Sequence, residues 1–263
     1  MSFLDHVEVL RWHLMRSVIV VVVAAIVLFL NNEFLFGTVI FGPKKPDFLT
    51  YQLMCKFSYW IGAGESMCIR EIPFSLINTS LSGQFTTHMW VSFLGGVIIA
   101  FPYILWELWR FIKPALHEKE QKSTTGFVFF ASILFIIGVL FSYYLIVPLT
   151  INFLGSYQVS SDVLNTISMD SYISTLTTLT IATGLVFELP IVVYFLTKFG
   201  ILTPAFMKQY RRHAVVVILI VAAVITPSPD ISSQVLVAIP LYMLYELSIF
   251  VSRYVISQKT SVK

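Results

Sequence analysis

Apolar residues in this 263-residue chain are gathered into long runs that shorter polar stretches separate. A helix needs about 20 apolar residues to cross a hydrocarbon core of roughly 30 Å. Four runs reach that length and two more, near the carboxyl end, fall short of it. The pattern predicts an all-α membrane protein with six transmembrane helices, the last two short. The predicted spans are Leu14–Phe36, His88–Ile112, Gly126–Leu149, Ile173–Leu196, His213–Thr226 and Val235–Val251.

Basic residues are distributed unevenly over the connections between these spans. Thirteen of the 17 Lys and Arg residues lie at the two chain ends and in the connections after spans two and four, counted with the adjoining edges of the spans. Because cytoplasmic loops carry an excess of Lys and Arg, both termini are predicted to be cytoplasmic. The chain then forms one membrane domain over residues 1–263, with a long extracytoplasmic loop at 37–87 and cytoplasmic loops at 113–125 and 197–212.

The composition agrees with a membrane protein and narrows the function. Hydrophobic residues make up 57% of the chain, charged residues 12%, and the mean hydropathy is +0.84, which excludes an ordinary soluble domain. The net charge is +3, and the basic residues behind it are distributed as the membrane topology requires. This charge gives no reason to expect a nucleic-acid partner. No nucleotide-binding loop, zinc-ligand spacing or nucleophile motif is present, so we expect no enzymatic activity, no metal and no cofactor.

Both cysteines, Cys55 and Cys68, lie in the predicted extracytoplasmic loop. In an oxidising compartment such a pair can form a disulfide. Two free thiols buried against neighbouring aromatic residues are the alternative. The sequence leaves both open, and neither points to catalysis.

Glu188 lies inside the predicted fourth span, where an ionised side chain costs several kcal/mol unless it faces protein, water or a partner. Pro190 removes a backbone N–H two residues later and strains the helix there. Thr180 and Gly184 share the helix face of Glu188 at helical spacing. This polar stripe favours a site for a ligand, an ion or a partner. A protonated Glu188, hydrogen-bonded inside the helix bundle, is the alternative.

Other carboxylates lie near the predicted cytoplasmic surface. An amphipathic segment at residues 2–17 is predicted to lie at this surface and to continue into the first span. Glu118 and Glu120 in the first cytoplasmic loop either pair with neighbouring lysines or bind a cationic ligand, since guanidinium groups bind carboxylates well. Glu107 and Glu246, near span ends, are expected to reach water.

The connection before the last span is short, rigid and polar. It runs from Thr226 to Gln234 and contains Asp230 beside two serines. Polar side chains at the edge of a short helix can bond a helix that arrives from outside, so Asp230 and Gln234 are candidates for contact with a partner helix.

Six stretches in this order resemble the TatC family, the polytopic receptor subunit of the twin-arginine protein translocase. No single stretch is specific, but six in register on a six-span topology form a strong match. The matching stretches are HVEVLR at 6–11, Pro102–Glu120, GVLFSYYLIVPLTINF at 138–153, FELP at 187–190, TPSPDISSQ at 226–234 and IPLYMLYE at 239–246.

The resemblance implies a receptor for signal peptides that carry two consecutive arginines. In the family, the receptor site combines the N-terminal segment with the first cytoplasmic loop. Carried onto this chain, its carboxylate is Glu120, with Trp109 and Phe111 upstream and Arg11 in the N-terminal segment. The family's N-terminal carboxylate position is Val9 here, so we expect the adjacent Glu8 to replace it.

The resemblance also implies the architecture and the partners. Family members are concave, cupped helix bundles, and the glutamate that matches Glu188 faces the concave intramembrane surface. The edge near Gln234 contacts small single-span partners. The implied function is export of folded proteins across the bacterial cytoplasmic (inner) membrane by the proton motive force, with TatA- and TatB-like partners, the lipid bilayer and further copies of the chain. A proton-coupled small-solute transporter that uses Glu188 as its relay is the alternative.

Overall fold

The computed structural model describes residues 3–65, 68–69, 74–115, 126–160, 165–226 and 231–260. The α-helices in these ranges are α1 Phe3–Leu30, α2 Leu49–Trp60, α3 Gly83–Ile112, α4 Phe127–Phe141, α5 Val147–Ser156, α6 Met169–Val186, α7 Leu189–Lys198, α8 Pro204–Gln209, α9 Arg211–Ile225 and α10 Ile231–Thr260. Two π-helical segments, Glu33–Ile40 and Ser142–Ile146, and two 3₁₀ turns, Gly42–Lys44 and Lys113–Ala115, complete the helical part. Strands β1 Ser75–Ile77 and β2 Thr166–Ser168 pair in a two-stranded sheet.

The chain divides into two compact units. The first contains Met1–Gly42, Leu76–Ile133 and Thr166–Thr177, and the second contains Pro43–Ser75, Leu134–Asn165 and Thr178–Lys263. The helices α4 and α6 each contribute residues to both units.

The first unit is built around the packing of α1 along α3. Gly96 of α3 makes this approach possible, because a Cβ atom added there would lie 2.8 Å from the carbonyl oxygen of Val21 and 2.9 Å from the amide nitrogen of Ala25. Small residues at such contacts let helix backbones approach closely, as in many membrane helix pairs.

Two long-range hydrogen bonds fix the first turn of α6 within the first unit. The Thr87 hydroxyl donates to the Asp170 carboxylate over 2.6 Å, and the buried Tyr172 hydroxyl donates to the Ile40 carbonyl over 2.8 Å. The π-helical segment after α1 and the start of α3 are thereby connected to the same short stretch of α6.

The second unit is held by close helix contacts and a small apolar core. A Cβ atom added at Gly138 would lie 2.8 Å from Phe187 and 3.0 Å from the Cα atom of Gly184. Thr197 donates a buried 2.9 Å hydrogen bond to Ser252, joining α7 to α10. The core consists of Val193, Met207 and Ile249, with Leu202 and Tyr245 packed against it.

Five helical segments in the described part of the chain are long and apolar enough to cross a membrane. They are Val7–Leu30, Gly83–Ile112, Phe127–Ser156, Met169–Lys198 and Val237–Ser257. Helix α9 covers the predicted fifth span, but its 15 residues correspond to only about 22 Å of rise. A six-span topology therefore remains a prediction.

The last helix is longer than the sequence suggested. Its apolar run was predicted to be a short span at Val235–Val251, whereas α10 has 30 residues and extends to Thr260. Arg253 and the polar residues after it lower the hydropathy without stopping the helix, because no Pro or Gly follows Pro240 before the end of α10. The expectation of two short final helices is therefore correct for α9 and wrong for α10.

Helix α1 is continuous from the amphipathic N-terminal segment into the first span. The sequence predicted such a continuation, but it did not predict helix α2 inside the segment 37–87.

We also find many apolar side chains at the surface of the spans, among them Leu14, Ile19 and Leu30 of α1. An apolar surface of this extent requires lipid around it.

We predict that Gly96→Ala destabilises the chain by about 1–3 kcal/mol, because the added methyl group forces α1 and α3 apart. Gly37→Ala is the matched control, since nothing lies within 4 Å of a Cβ atom there. Thermal unfolding in detergent micelles measures both variants. Equal melting temperatures for the two would show that Gly96 does not set the contact.

Candidate functional site

The exposed charges of the N-terminal segment lie on the first turns of α1. Arg11 and Glu8 are three residues apart on one face, with Arg11 Nη2 and Glu8 Oε1 3.7 Å apart and side chains 62% and 67% exposed. The Arg11 guanidinium also lies 5.8 Å from the centre of the Trp12 ring. Since a surface pair at this distance is weak, both groups are free to exchange partners.

Glu107 of α3 lies at the end of the first unit that carries the first turns of α1. It contacts three side chains there. Its Oε2 atom accepts a hydrogen bond from His13 Nδ1, and its Oε1 atom accepts one of 2.9 Å from the Tyr103 hydroxyl. Arg110 Nη1 lies 3.6 Å from Oε1. The Glu107 side chain is only 1% exposed, so these partners replace the water that it has lost.

The expectation that Glu107 reaches water is therefore wrong. It was based on distance along the chain to the polar loop, whereas α1 packs over this position and supplies His13. Glu246 has similar partners, Arg211 at 2.6 Å and Tyr242 at 3.1 Å, but remains one-third exposed. The role of His13 was missed because nothing in the sequence connects residues that are 94 positions apart.

The aromatic candidates Trp109 and Phe111 have different environments. Trp109 is buried and its ring packs 5.3 Å from that of Phe127, so it contributes to the core of the first unit. Phe111 is partly exposed and approaches His13 edge-on at 6.2 Å. Glu118 and Glu120 lie outside the described residues.

Glu188 lies at a break between α6 and α7. The Glu188 amide donates to the carbonyl of Leu185, and the Glu188 carbonyl accepts from Ile191 and Val192, so the chain turns at 187–188 before continuing as a helix. Pro190 occupies the first turn of α7, where its missing N–H costs little. The predicted strain at this position is thus relieved by a helix break.

The side chain of Glu188 is half-buried, and its Oε1 atom is enclosed without a hydrogen-bond partner among the described residues. Thr180, on the same stripe, is buried. Gly184 packs against the side chains of Phe135 and Val139. Thr180 and Gly184 are therefore used for packing within the second unit. Glu188 is the residue of the stripe whose polar atom has no hydrogen-bond partner among the described residues.

Gln234 joins the last two helices. Its Nε2 atom donates a 3.0 Å hydrogen bond to the carbonyl of Leu219, so the first turn of α10 is fixed to the middle of α9. Asp230, its predicted companion, lies outside the described residues.

A disulfide joins Cys55 of α2 to Cys68, with the two Cα atoms 4.4 Å apart. The neighbouring Tyr51 is 1% exposed, and its hydroxyl lies within hydrogen-bonding distance of the carbonyls of Pro43 and Pro148, at 2.9 and 3.0 Å. Burial raises the pKa of the Tyr51 phenol above its ordinary value, so this hydroxyl remains a donor.

Comparison with known proteins identifies the family. Residues 5–240 match the model of the family described as Sec-independent protein translocase protein (TatC). The TatC protein of Blattabacterium sp. subsp. Periplaneta americana is 40% identical over 260 residues, covering 98% of this chain and 97% of the relative. The TatCy protein of Bacillus subtilis is 32% identical over 263 residues, covering 99% and 93%.

The chain belongs to the TatC family. A crystal structure of the twin-arginine translocase receptor TatC in DDM has a TM-score of 0.67 to it, with 32% identity and coverage of 93% of this chain and 98% of that one. A second TatC crystal structure has a TM-score of 0.64, with 30% identity and coverage of 95% and 99%. This TatC-family chain is therefore a multi-pass membrane protein and a component of the twin-arginine protein translocase.

We predict that Glu107→Ala destabilises this protein far more than Glu246→Ala does. Both substitutions remove a carboxylate bonded to a tyrosine four residues earlier and to an arginine. Losing one partner of a buried pair costs about 3–5 kcal/mol. The partly exposed Glu246–Arg211 pair is worth less, about 0–1 kcal/mol as for surface pairs. Thermal unfolding in detergent micelles compares the two variants, and equal losses would contradict the structural role of Glu107.

Proposed function

We propose that this TatC-family chain is the signal-peptide receptor of the translocase. The observation that carries the proposal is the exposed Glu8–Arg11 pair on the first turns of α1, at the end of the first unit from which the segment with Glu118 and Glu120 continues. Carboxylates at this end provide the charge that a peptide with two consecutive arginines requires.

The chemistry favours arginine over lysine in such a peptide. A planar guanidinium donates two parallel hydrogen bonds to a carboxylate, whereas an ammonium group acts as a point charge. In the proposed site, Glu120 binds the arginine pair with Glu118 beside it. Glu8 assumes the role of the carboxylate that is missing at Val9, and Phe111 offers an apolar surface at the edge of the site.

Two contacts between α1, α3 and α4 stabilise the elements that carry this site. Trp109 packs against Phe127 under the peptide-binding surface, and the Glu107–His13 contact fixes the first turns of α1 to the last turns of α3. In this proposal the Trp109–Phe127 and Glu107–His13 contacts position the surface, and the peptide contacts the exposed groups of α1 and the loop.

The topology that we propose has six spans with both termini in the cytoplasm of a bacterial cell and the segment 37–87 outside the inner membrane. The excess of Lys and Arg on one side supports this orientation. Helix α9 supplies the fifth of the six spans, and a locally thinner bilayer accommodates its length. Transport of folded cargo is driven by the proton motive force.

We further propose that the partners are TatA- and TatB-like single-span proteins and other copies of this chain. The polar edge formed by Gln234 and Asp230 is the proposed contact for the partner helix. Gln234 already donates to Leu219, so its amide oxygen is the group that remains to accept a bond from outside.

The small-solute transporter is the weaker proposal. It depends on Glu188 as a proton relay, and its Oε1 atom is enclosed by protein. The match to a protein-translocase family over residues 5–240 accounts for far more of the chain than this one carboxylate does.

We predict that Glu120→Lys abolishes export of cargo that carries a twin-arginine signal peptide, while the protein still inserts into the membrane. Reversal of the charge repels the arginine pair. Glu65→Lys makes the same charge change in the segment 37–87 and should leave export unchanged. Export of a folded reporter in cells measures both, and normal export by the Glu120→Lys variant would overturn the receptor assignment of this loop.

A photo-crosslinking residue at Gln234 is predicted to capture a TatA- or TatB-like partner, because the proposed contact edge includes this position. The same residue at Val18, an exposed position on α1, serves as the control. Immunoblots of crosslinked membranes detect the products. Equal capture from both positions would show that the edge near Gln234 is not a specific contact.

A further inference from the structure

Helix α2 has three distinct faces, and one of them is apolar and uncovered. Its inner face, with Thr50, Tyr51 and Ser58, is buried. Gln52, Lys56 and Tyr59 form an exposed polar face, and Lys56 is the single charged residue of the helix. Four large apolar side chains form the third face, 52–81% exposed: Leu49, Leu53, Phe57 and Trp60.

The spacing of these four residues is helical. Positions 49, 53, 57 and 60 fall within about 80° of arc at 100° per residue, so they form one continuous stripe. Scattered apolar residues at a protein surface need no explanation, but a contiguous patch of leucine, phenylalanine and tryptophan marks a surface that something covers.

The inner face fixes the direction in which this stripe points. The Tyr51 hydroxyl reaches the Pro148 carbonyl at 3.0 Å, and the Thr50 hydroxyl donates to the carbonyl of Tyr144 in the π-helical segment 142–146. The ring of Phe48, just before α2, stacks on that of Tyr144 at 5.6 Å. These contacts lock the rotation of α2 against the span Phe127–Ser156.

The stripe continues directly into the surface of that span. Leu49, Leu53 and Phe57 line one wall of an almost wholly apolar groove of about 380 Å³. Phe141, Tyr144 and Leu145 of the span line the other wall. Neighbouring span residues such as Ile137 and Leu140 are nearly half exposed and apolar, as expected for contact with lipid.

The position of the groove along the span places it where lipid acyl chains are present. The chain before Phe127 is polar, so the hydrocarbon begins near that residue. Tyr144 comes 17 residues later, about 26 Å along the helix, which is still inside a hydrocarbon core of roughly 30 Å. The apolar stripe of α2 therefore lies level with the end of the hydrocarbon layer.

We propose that α2 is an interfacial helix whose apolar stripe inserts into the membrane leaflet, with a lipid acyl chain in the groove between α2 and the span. Helices of this kind lie in the membrane plane with their apolar face buried at the boundary between headgroups and acyl chains. Trp60 lies at the headgroup level, where tryptophan is enriched, and Lys56 meets lipid phosphate beside the stripe. Helix α2 is thereby a membrane-bound element of the segment 37–87, and its polar face is the side that meets water.

Spin labels on the two exposed faces test this proposal. Cys55 and Cys68 are bonded to each other and are the chain's two cysteines, so one introduced cysteine can be labelled alone. Leu53→Cys and Trp60→Cys place a nitroxide on the apolar stripe, and Gln52→Cys places one on the adjacent polar face. The full chain is reconstituted into phosphatidylcholine vesicles, and collisions with oxygen and with a water-soluble nickel chelate are measured by power-saturation electron paramagnetic resonance.

The label at 53 should collide several-fold more often with oxygen than with the nickel chelate, the label at 60 should give an intermediate ratio that fits the headgroup level, and the label at 52 should favour the chelate. Equal exposure of all three labels to the chelate would overturn the proposal, because the stripe would then be in water. Labels at 53 and 60 that are immobile and shielded from both reagents would also overturn it, since protein would then cover the stripe.

Discussion

Hydrocarbon offers no hydrogen bonds, and the structure of this chain depends on how its backbone and charged groups inside the membrane are bonded by the protein. The backbone meets this constraint by forming helices over nearly all of the five long apolar segments. Where the α-helical pattern fails, either a distant part of the chain supplies a partner or a local turn restores the bonds. The π-helical segment 142–146 presents the Tyr144 carbonyl to Thr50, and the break at 187–188 lets Pro190 begin a new helix.

Three carboxylates near or inside the membrane illustrate the same constraint with different results. Glu107 is enclosed and fully bonded, so it stabilises the contact between α1 and α3. Glu246 pairs with Arg211 at a partly exposed position. Glu188 has an enclosed oxygen for which the described residues provide no partner. A buried carboxylate that lacks a bond is costly, and such a cost is typical of a group retained for function.

The sequence predicted the helical class, most span positions and the strain that Pro190 introduces near Glu188, because long apolar runs and proline act locally. It failed where a distant segment changes the environment of a residue. His13 covers Glu107, which no local pattern indicates, and α10 continues past its apolar run because hydropathy does not stop a helix. Helix α2 was missed although its apolar positions 49, 53, 57 and 60 have helical spacing, because its 12 residues are too few to stand out as a span. The residue types at the proposed receptor surface became meaningful through the resemblance to TatC, not through their spacing.

Membership of the TatC family places this chain in a protein translocase, and the central claim of our account is that its carboxylates recognise paired arginines. The most direct measurement is the affinity of the reconstituted chain for two synthetic signal peptides that differ only in an Arg-Arg or a Lys-Lys pair. Bidentate guanidinium contacts predict at least tenfold tighter binding of the Arg-Arg peptide, a difference of about 1.4 kcal/mol or more, and predict that Glu120→Gln removes most of this preference. Equal affinities of the unaltered chain for the two peptides would contradict the claim.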